Sequence, residues 1–222
     1  LNSTGVTTLA DSIYAASVTT NAGGSVAMNA VNITTTGAQT YHDAVTLAAN
    51  TTLNTTNGAV TFSSAVTGSG KTLTVNAGSG AINLAAMGTS GAYLGAINLN
   101  STGVTTLADS IYAASVTTNA GGSVAMNAAN ITTTGAQTYN DTVILGADLS
   151  INSAAVTFAS TLTSHASAAQ SLTISNSGLA TFGDVVGGSK PLASLTISGG
   201  TSLSGDVTTI GTQNYGSDLV RQ

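Results

Sequence analysis

The sequence contains no cysteine, no tryptophan and no glutamate, and it has a single proline. Without cysteine there is no disulfide framework and no thiolate chemistry. Charged residues make up only 5% of the chain, whereas soluble domains usually carry about 25%. Lys and Arg total 3 while Gly totals 26, a composition that suits turns and does not suit the surface of a helix.

Long apolar runs and basic clusters are absent as well. Thr, Ser, Asn and Gly interrupt every apolar stretch before it reaches the roughly 18 residues that a spanning helix needs, so we expect no membrane insertion. The formal net charge of −5 argues against a nucleic-acid partner, because nucleic-acid binding needs a basic footprint. The abundance of Val, Ile and Thr disfavours disorder and indicates β-structure with many turns.

A long internal repeat is the strongest feature that is present. The segment Leu1–Tyr41 recurs as Leu99–Tyr139 with one difference, Val31 against Ala129, and a shorter relative of its end occurs at Gly211–Tyr215. The repeat predicts one continuous array divided into a first long repeat (1–98, about five coils), a second that diverges after Tyr139 (99–194) and a partial third (195–222).

A shorter period of about 20 residues runs inside the long repeat. Ile13, Ile33, Leu53 and Leu73 are spaced by 20 residues. Two looser series accompany them: Val6, Val26, Val45 and Val18, Tyr41, Phe62, Ile82. Each position lies in a short run that alternates apolar and small polar residues, as a strand with one buried face does. Turn-forming clusters such as Asn57-Gly58 separate the runs.

Three short strands per coil predict an all-β parallel β-helix, or β-solenoid, of roughly eleven coils and on the order of 50 Å in length. A sandwich or barrel is the competing all-β architecture, but it does not require one apolar position to return every 20 residues. Outward Thr and Asn suit such a stack, since stacked Asn forms amide ladders and stacked charges repel. Neither end carries an obvious polar cap, so we expect an internal segment or a unit that stacks on itself.

Three segments carry a family resemblance. Thr34–Tyr41, Ala44–Leu53 and Gly58–Phe62 resemble the repeats of filamentous-haemagglutinin-like adhesins, large exoproteins of Gram-negative bacteria secreted through an outer-membrane partner. The resemblance implies a right-handed β-helical shaft, export to the cell surface, and roles in adhesion, biofilm formation or contact-dependent competition. It implies nothing specific about what is bound.

One motif recurs three times, and we take its Gln and Tyr residues as the candidate site residues. They are Gln39, Tyr41, Gln137, Tyr139, Gln213 and Tyr215. We interpret the tyrosines as structural anchors that pack a ring and hydrogen-bond through the hydroxyl. Stacking of these rings on a glycan is the alternative.

Titratable residues offer little for catalysis or metal binding. His42 becomes Asn140 in the second copy, so the repeat does not need an imidazole there. Asp11 and Asp43 recur through duplication, with no sign that they form the closely spaced pair of glycoside hydrolysis. The Gly199–Asp206 stretch lacks the calcium-binding turn pattern. We therefore predict no enzyme activity, no cofactor and no metal site.

The predicted function is a structural or adhesive shaft of a long secreted fibre on the bacterial surface. Its expected partners are components of host or neighbouring cells, or further copies of itself. Two alternatives stay open: a subunit that pairs end to end into filaments, and a Thr array that binds a ligand or ice. No Thr-x-Thr pair returns in every coil, which weakens the ice-binding alternative.

Overall fold

The computed structural model describes all 222 residues and contains 28 strands and no helix. In chain order the strands are β1 (Val6–Leu9), β2 (Ile13–Ala15), β3 (Val18–Thr20), β4 (Ser25–Met28), β5 (Asn32–Thr35), β6 (Gln39–Tyr41), β7 (Ala44–Leu47), β8 (Thr51–Thr55), β9 (Val60–Phe62), β10 (Val66–Thr67), β11 (Leu73–Gly78), β12 (Ile82–Leu84), β13 (Leu94–Ser101) and β14 (Val104–Leu107). They continue as β15 (Ile111–Thr118), β16 (Ser123–Met126), β17 (Asn130–Thr133), β18 (Ala136–Tyr139), β19 (Thr142–Leu145), β20 (Leu149–Ser153), β21 (Ala155–Phe158), β22 (Leu162–Ser164), β23 (Ser171–Asn176), β24 (Leu179–Phe182), β25 (Ser194–Ile197), β26 (Gly200–Leu203), β27 (Gln213–Tyr215) and β28 (Leu219–Arg221).

These strands form three faces, and every pairing between strands is parallel. Face A runs through β1, β4, β7 and β10, crosses the bridges of Met87 with Val66 and Ile111, and continues through the start of β15 to β17, β20, β23, β25 and β27. Face B runs through β2, β5, β8, β11, β13, the end of β15, β18, β21, β24, β26 and β28. Face C runs from β3 to β22 and ends on Val186 and Val207.

The predicted solenoid of about 11 turns is confirmed, and the sandwich alternative is excluded. Buried side chains from all three faces make one continuous core of 47 residues. Its largest members stack along the axis. The Tyr41 and Phe62 rings lie 4.9 Å apart, and Phe158 stacks on Tyr139 at 5.4 Å and on Phe182 at 5.3 Å.

The strand register corrects part of each predicted apolar series. Ile13, Ile33 and Leu53 do stack on one another, but Leu53 pairs with Val75, while Leu73 pairs with Thr51. The coil between Leu53 and Val75 has two residues more than a constant period of 20 allows. A shift of the pairing register by an odd number of residues turns inward side chains outward. A shift by an even number keeps them inward and changes only the residue with which each one pairs.

The two looser apolar series are also wrong, since they group residues that do not stack on one another. The reason is again that the coils differ in length. Val6 pairs with Ser25 and is 67% exposed, and the inward column of face A that contains Val26 and Val45 begins at Thr7 instead. The other series mixes two columns of face C. One contains Val18, Gln39, Val60 and Ile82, and the other contains Thr20, Tyr41, Phe62 and Leu84.

The second long copy lies one face away from the first. Strand β1 is on face A, but its sequence equivalent β14 is on face C. Likewise β3 is on face C, and its equivalent, the end of β15, is on face B. The offset of 98 residues therefore spans four coils and two of the three faces of a fifth. Each repeat turns its side chains to a new side of the solenoid.

Candidate functional site

The recurrent motif folds into a buried hydrogen-bonded cluster at the junction of faces B and C. The Gln39 Nε2 group donates to the backbone oxygen of Ile33 at 3.1 Å and to Thr35 Oγ1 at 3.3 Å. It also donates to the backbone oxygen of Asn54, in the following coil, at 3.0 Å. The Tyr41 hydroxyl donates to Gln39 Oε1 at 3.0 Å. Both polar ends of the glutamine side chain are thus satisfied inside the core.

The second copy reproduces this cluster on face B, one face back around the coil. Gln137 Nε2 donates to Ile131 O, Thr133 Oγ1 and Asn152 O at 3.3, 3.2 and 3.3 Å. The Tyr139 hydroxyl donates to Gln137 Oε1 at 2.8 Å. The same bonds on another face mean that the motif is self-contained and does not depend on its position around the coil.

The third copy repeats the local bonds in the last coil. Gln213 Nε2 donates to Val207 O and Thr209 Oγ1, and the Tyr215 hydroxyl donates to Gln213 Oε1 at 2.9 Å. Gln213 does not make the further bond to a carbonyl oxygen that Asn54 and Asn152 accept in the other two copies. The three copies therefore occupy face C, face B and face A in turn.

Sequence reasoning missed one member of this cluster. Thr35, Thr133 and Thr209 each lie four residues before the glutamine and donate to the oxygen of the intervening glycine. The full pattern is Thr-x-Gly-x-Gln-x-Tyr. It is legible in all three copies of the sequence, so the missing threonine could have been found by comparing them.

The Tyr41 and Tyr139 side chains are buried to 0% exposure, which removes their rings from any ligand. Burial raises the pKa of both hydroxyls far above the usual value for tyrosine, because the phenolate would lose its hydration. Burial raises the pKa of Tyr215 too, and the Arg221 charge partly lowers it. The geometry of the motif supports anchoring of the strand and offers no chemistry at the surface.

Two aspartates join turns of adjacent coils through hydrogen bonds. Asp43 Oδ1 accepts from the Gly24 N–H, and Asp141 Oδ1 accepts from the Gly122 N–H, each at 2.7 Å and each across to the preceding coil. Asp141 Oδ2 is buried without a hydrogen-bond partner. Burial raises the pKa of the Asp141 carboxyl, and bonds with Gly122 and the Thr118 side chain lower it in part.

The structure does not bring the remaining candidate groups together. Asp11 is exposed at the turn between β1 and β2, whereas Asp43 is buried at the turn between β6 and β7, so they lie at different corners. His42 is exposed, with Nδ1 3.2 Å from Ser63 Oγ. No group of three or more metal-binding side chains occurs. The chain also has no helix that could span a membrane.

Polar ladders cover the outside of face B. Asn100 Nδ2 donates to Asn76 Oδ1 at 2.7 Å, and Asn76 Nδ2 donates to Asn54 Oδ1 at 2.8 Å. A parallel column runs beside this ladder through seven consecutive coils: Thr52, Thr74, Asn98, Thr117, Thr138, Thr157 and Thr181. Thr therefore forms one column at a time on this face, and the neighbouring column holds Asn or other residues. Two adjacent columns of Thr, as a Thr-x-Thr array would have, do not run along the face.

Comparisons with protein-family models, with curated proteins and with solved structures each returned no match to this chain. The solenoid fold therefore rests on the strand pairing alone. The resemblance to filamentous-haemagglutinin-like adhesins stays a prediction from the sequence.

Proposed function

We propose that this chain is a structural and adhesive shaft segment of a long secreted fibre on the bacterial surface. The observation that carries the proposal is the continuous core that runs through two near-identical copies. The recurrent polar motif of these copies makes its hydrogen bonds inside that core. Duplication of such a unit lengthens a rod, whereas duplication gives no advantage to a catalytic centre.

The outward surface supports the same role. Uncharged Thr and Asn ladders allow coils to stack at about 4.8 Å without the repulsion that columns of like charge would create. Because each copy is turned by one face, a feature carried by the repeat is presented on a different side in successive copies. A fibre built from such repeats offers its surface to partners on all sides and needs no catalysis.

Electron microscopy of the purified chain tests the shaft. We expect straight rods of uniform width and about 50 Å in length, from eleven coils at the interstrand spacing. Compact particles without a long axis contradict a shaft. Immunogold labelling of intact, unpermeabilised source cells tests the surface location, and label that appears only after permeabilisation contradicts it.

A further inference from the structure

A groove on face C interrupts the regular surface of the solenoid. It is a cavity of about 540 Å³ whose lining includes Thr142, Ile144, Thr161, Thr163, His165 and Lys190. Strands β19 and β22 form its floor, and the loops that follow β22 and Val186 form its walls. Its size falls within the range of about 300–1,000 Å³ that is usual for small-molecule sites.

Hydrogen bonds hold the backbone of Lys190 in the wall of the groove. Its N–H donates to Thr163 Oγ1 at 2.9 Å, and its carbonyl oxygen accepts from the Thr163 hydroxyl at 2.9 Å and from the Ser164 N–H at 3.2 Å. The structure's single ion pair joins Arg221 and Asp206, so the Lys190 ammonium has no carboxylate partner. An ordered backbone with an unpaired cation at a concave surface is suited to receive an anionic group.

The corresponding loop of the first copy shows that the fold does not require this cation. Gly88 and Gly187 adopt the same left-handed φ, at 68° and 73°, and each precedes a buried leucine, Leu94 or Leu192. Two residues before that leucine, the first copy has Ala92 and the second has Lys190. The first loop lines none of the four surface cavities.

His165 adds a second polar group that the repeat lacks. Its Nδ1 accepts from the Ser167 N–H at 3.3 Å, which leaves Nε2 as the N–H donor of the neutral ring. On the floor, the Thr161 hydroxyl donates to Thr142 Oγ1 at 3.3 Å and keeps acceptor capacity. Ile144 and the threonine methyl groups give the floor apolar patches as well.

We propose that this groove binds a saccharide that carries a carboxylate, in the manner of a uronic acid residue. The Lys190 ammonium pairs with the carboxylate, and His165 and the Thr hydroxyls bond the ring hydroxyls. The C–H face of the ring packs on Ile144 and the threonine methyl groups.

Titration with oligogalacturonate, oligoglucuronate and oligomannuronate, followed by calorimetry and by amide NMR shifts, tests the groove. The methyl ester of the bound oligomer is the matched ligand, since it keeps the sugar and removes the charge. We expect the acid to bind at least tenfold more tightly than its ester, with shifts centred on Thr161, Thr163 and Lys190. Absence of shifts there with all three acids overturns the proposal, as does equal binding of acid and ester.

Lys190→Ala is expected to weaken binding of the acid at least tenfold and to leave binding of the ester unchanged. Lys71→Ala is the control, because Lys71 lies in a loop of the first copy and lines none of the cavities. Unchanged affinity in the Lys190 variant overturns the assignment. The groove adds a ligand to the proposed shaft but is tested separately: rods of the expected length that bind no uronate refute the groove alone.

Discussion

At the scale of single residues, the glutamine of the recurrent motif shows how a polar group can be kept inside an apolar rod. Gln137 is fully buried, yet its amide nitrogen and oxygen both have partners. A buried polar group without a partner costs about 1–3 kcal/mol, so this side chain is tolerated only because its surroundings are complete.

Gln137→Leu is expected to lower the free energy of unfolding by about 2–4 kcal/mol, since it leaves the Tyr139 hydroxyl and two backbone oxygens buried without their partner. Urea denaturation followed by circular dichroism measures the loss. Gln213→Leu is the control, because the same side chain in the last coil is exposed, and a loss under about 1 kcal/mol is expected there. Equal losses would show that burial of the motif does not matter.

Asp141 supplies a pH dependence at the same scale. Burial raises the pKa of its carboxyl, so at pH values between the ordinary aspartate pKa and the raised one the folded chain holds a proton that the unfolded chain has released. The stabilising contribution of the protonated form is present at acid pH and is lost as the pH rises through the pKa of the folded state. Ionised Asp141 is therefore a source of instability at neutral pH.

Asp141→Asn keeps an oxygen to accept from Gly122 and removes the charge, so it is expected to raise the free energy of unfolding at pH 7. The gain should shrink as the pH falls toward the ordinary aspartate pKa. Denaturation curves at a series of pH values measure it. Asp43→Asn makes the same replacement at the same turn of the first copy and controls for the amide itself. A gain that does not change with pH would contradict the assigned cause.

At the scale of elements, the asparagine ladder joins β8, β11 and β13 through their side chains. Asn76 is both a donor to Asn54 and an acceptor from Asn100. A charged side chain of similar size cannot do both, because a carboxylate has no N–H and an ammonium has no lone pair. The ladder thus depends on residue identity and not merely on polarity.

Asn76→Asp is expected to lower the free energy of unfolding by about 1–2 kcal/mol, since the donor to Asn54 is lost and two oxygens then face each other. Asn76→Ala removes both bonds without that repulsion and should cost less. Thermal and urea denaturation of the two variants rank them. The reverse order, or no difference at pH 7, would mean that the ladder bonds contribute nothing.

At the scale of the whole molecule, each long repeat lies one face away from the repeat before it. The number of repeats therefore sets the length of the rod, and each added repeat lies on a face that its length determines. Joining a second copy of residues 1–98 after Asn98 recreates the natural junction, because Leu1 and Leu99 begin the same segment. We expect rods longer by about 22 Å, from between four and five added coils at 4.8 Å each. The added copy should keep the core continuous and lie one face away from its neighbour.

Electron microscopy of the lengthened chain measures this increment. The control joins a copy of residues 1–88 instead. Leu1 then follows Gly88 directly in the sequence, which breaks the register of the inward columns. That variant is expected to lose straight rods or to show a separately melting part. Rods of unchanged length in the first variant would contradict a solenoid that grows with its repeat.

The sequence by itself determined the parallel solenoid, the number of coils and the identity of the recurrent motif, because stacking forces the same residue types to return at a near-constant interval. Only the tertiary structure decided the partners within each column. Coils of unequal length shift the register, so Leu53 meets Val75 and Val6 turns outward. It also decided the one-face turn of the second copy and the groove at Lys190, since both depend on how separate coils and loops come to lie side by side.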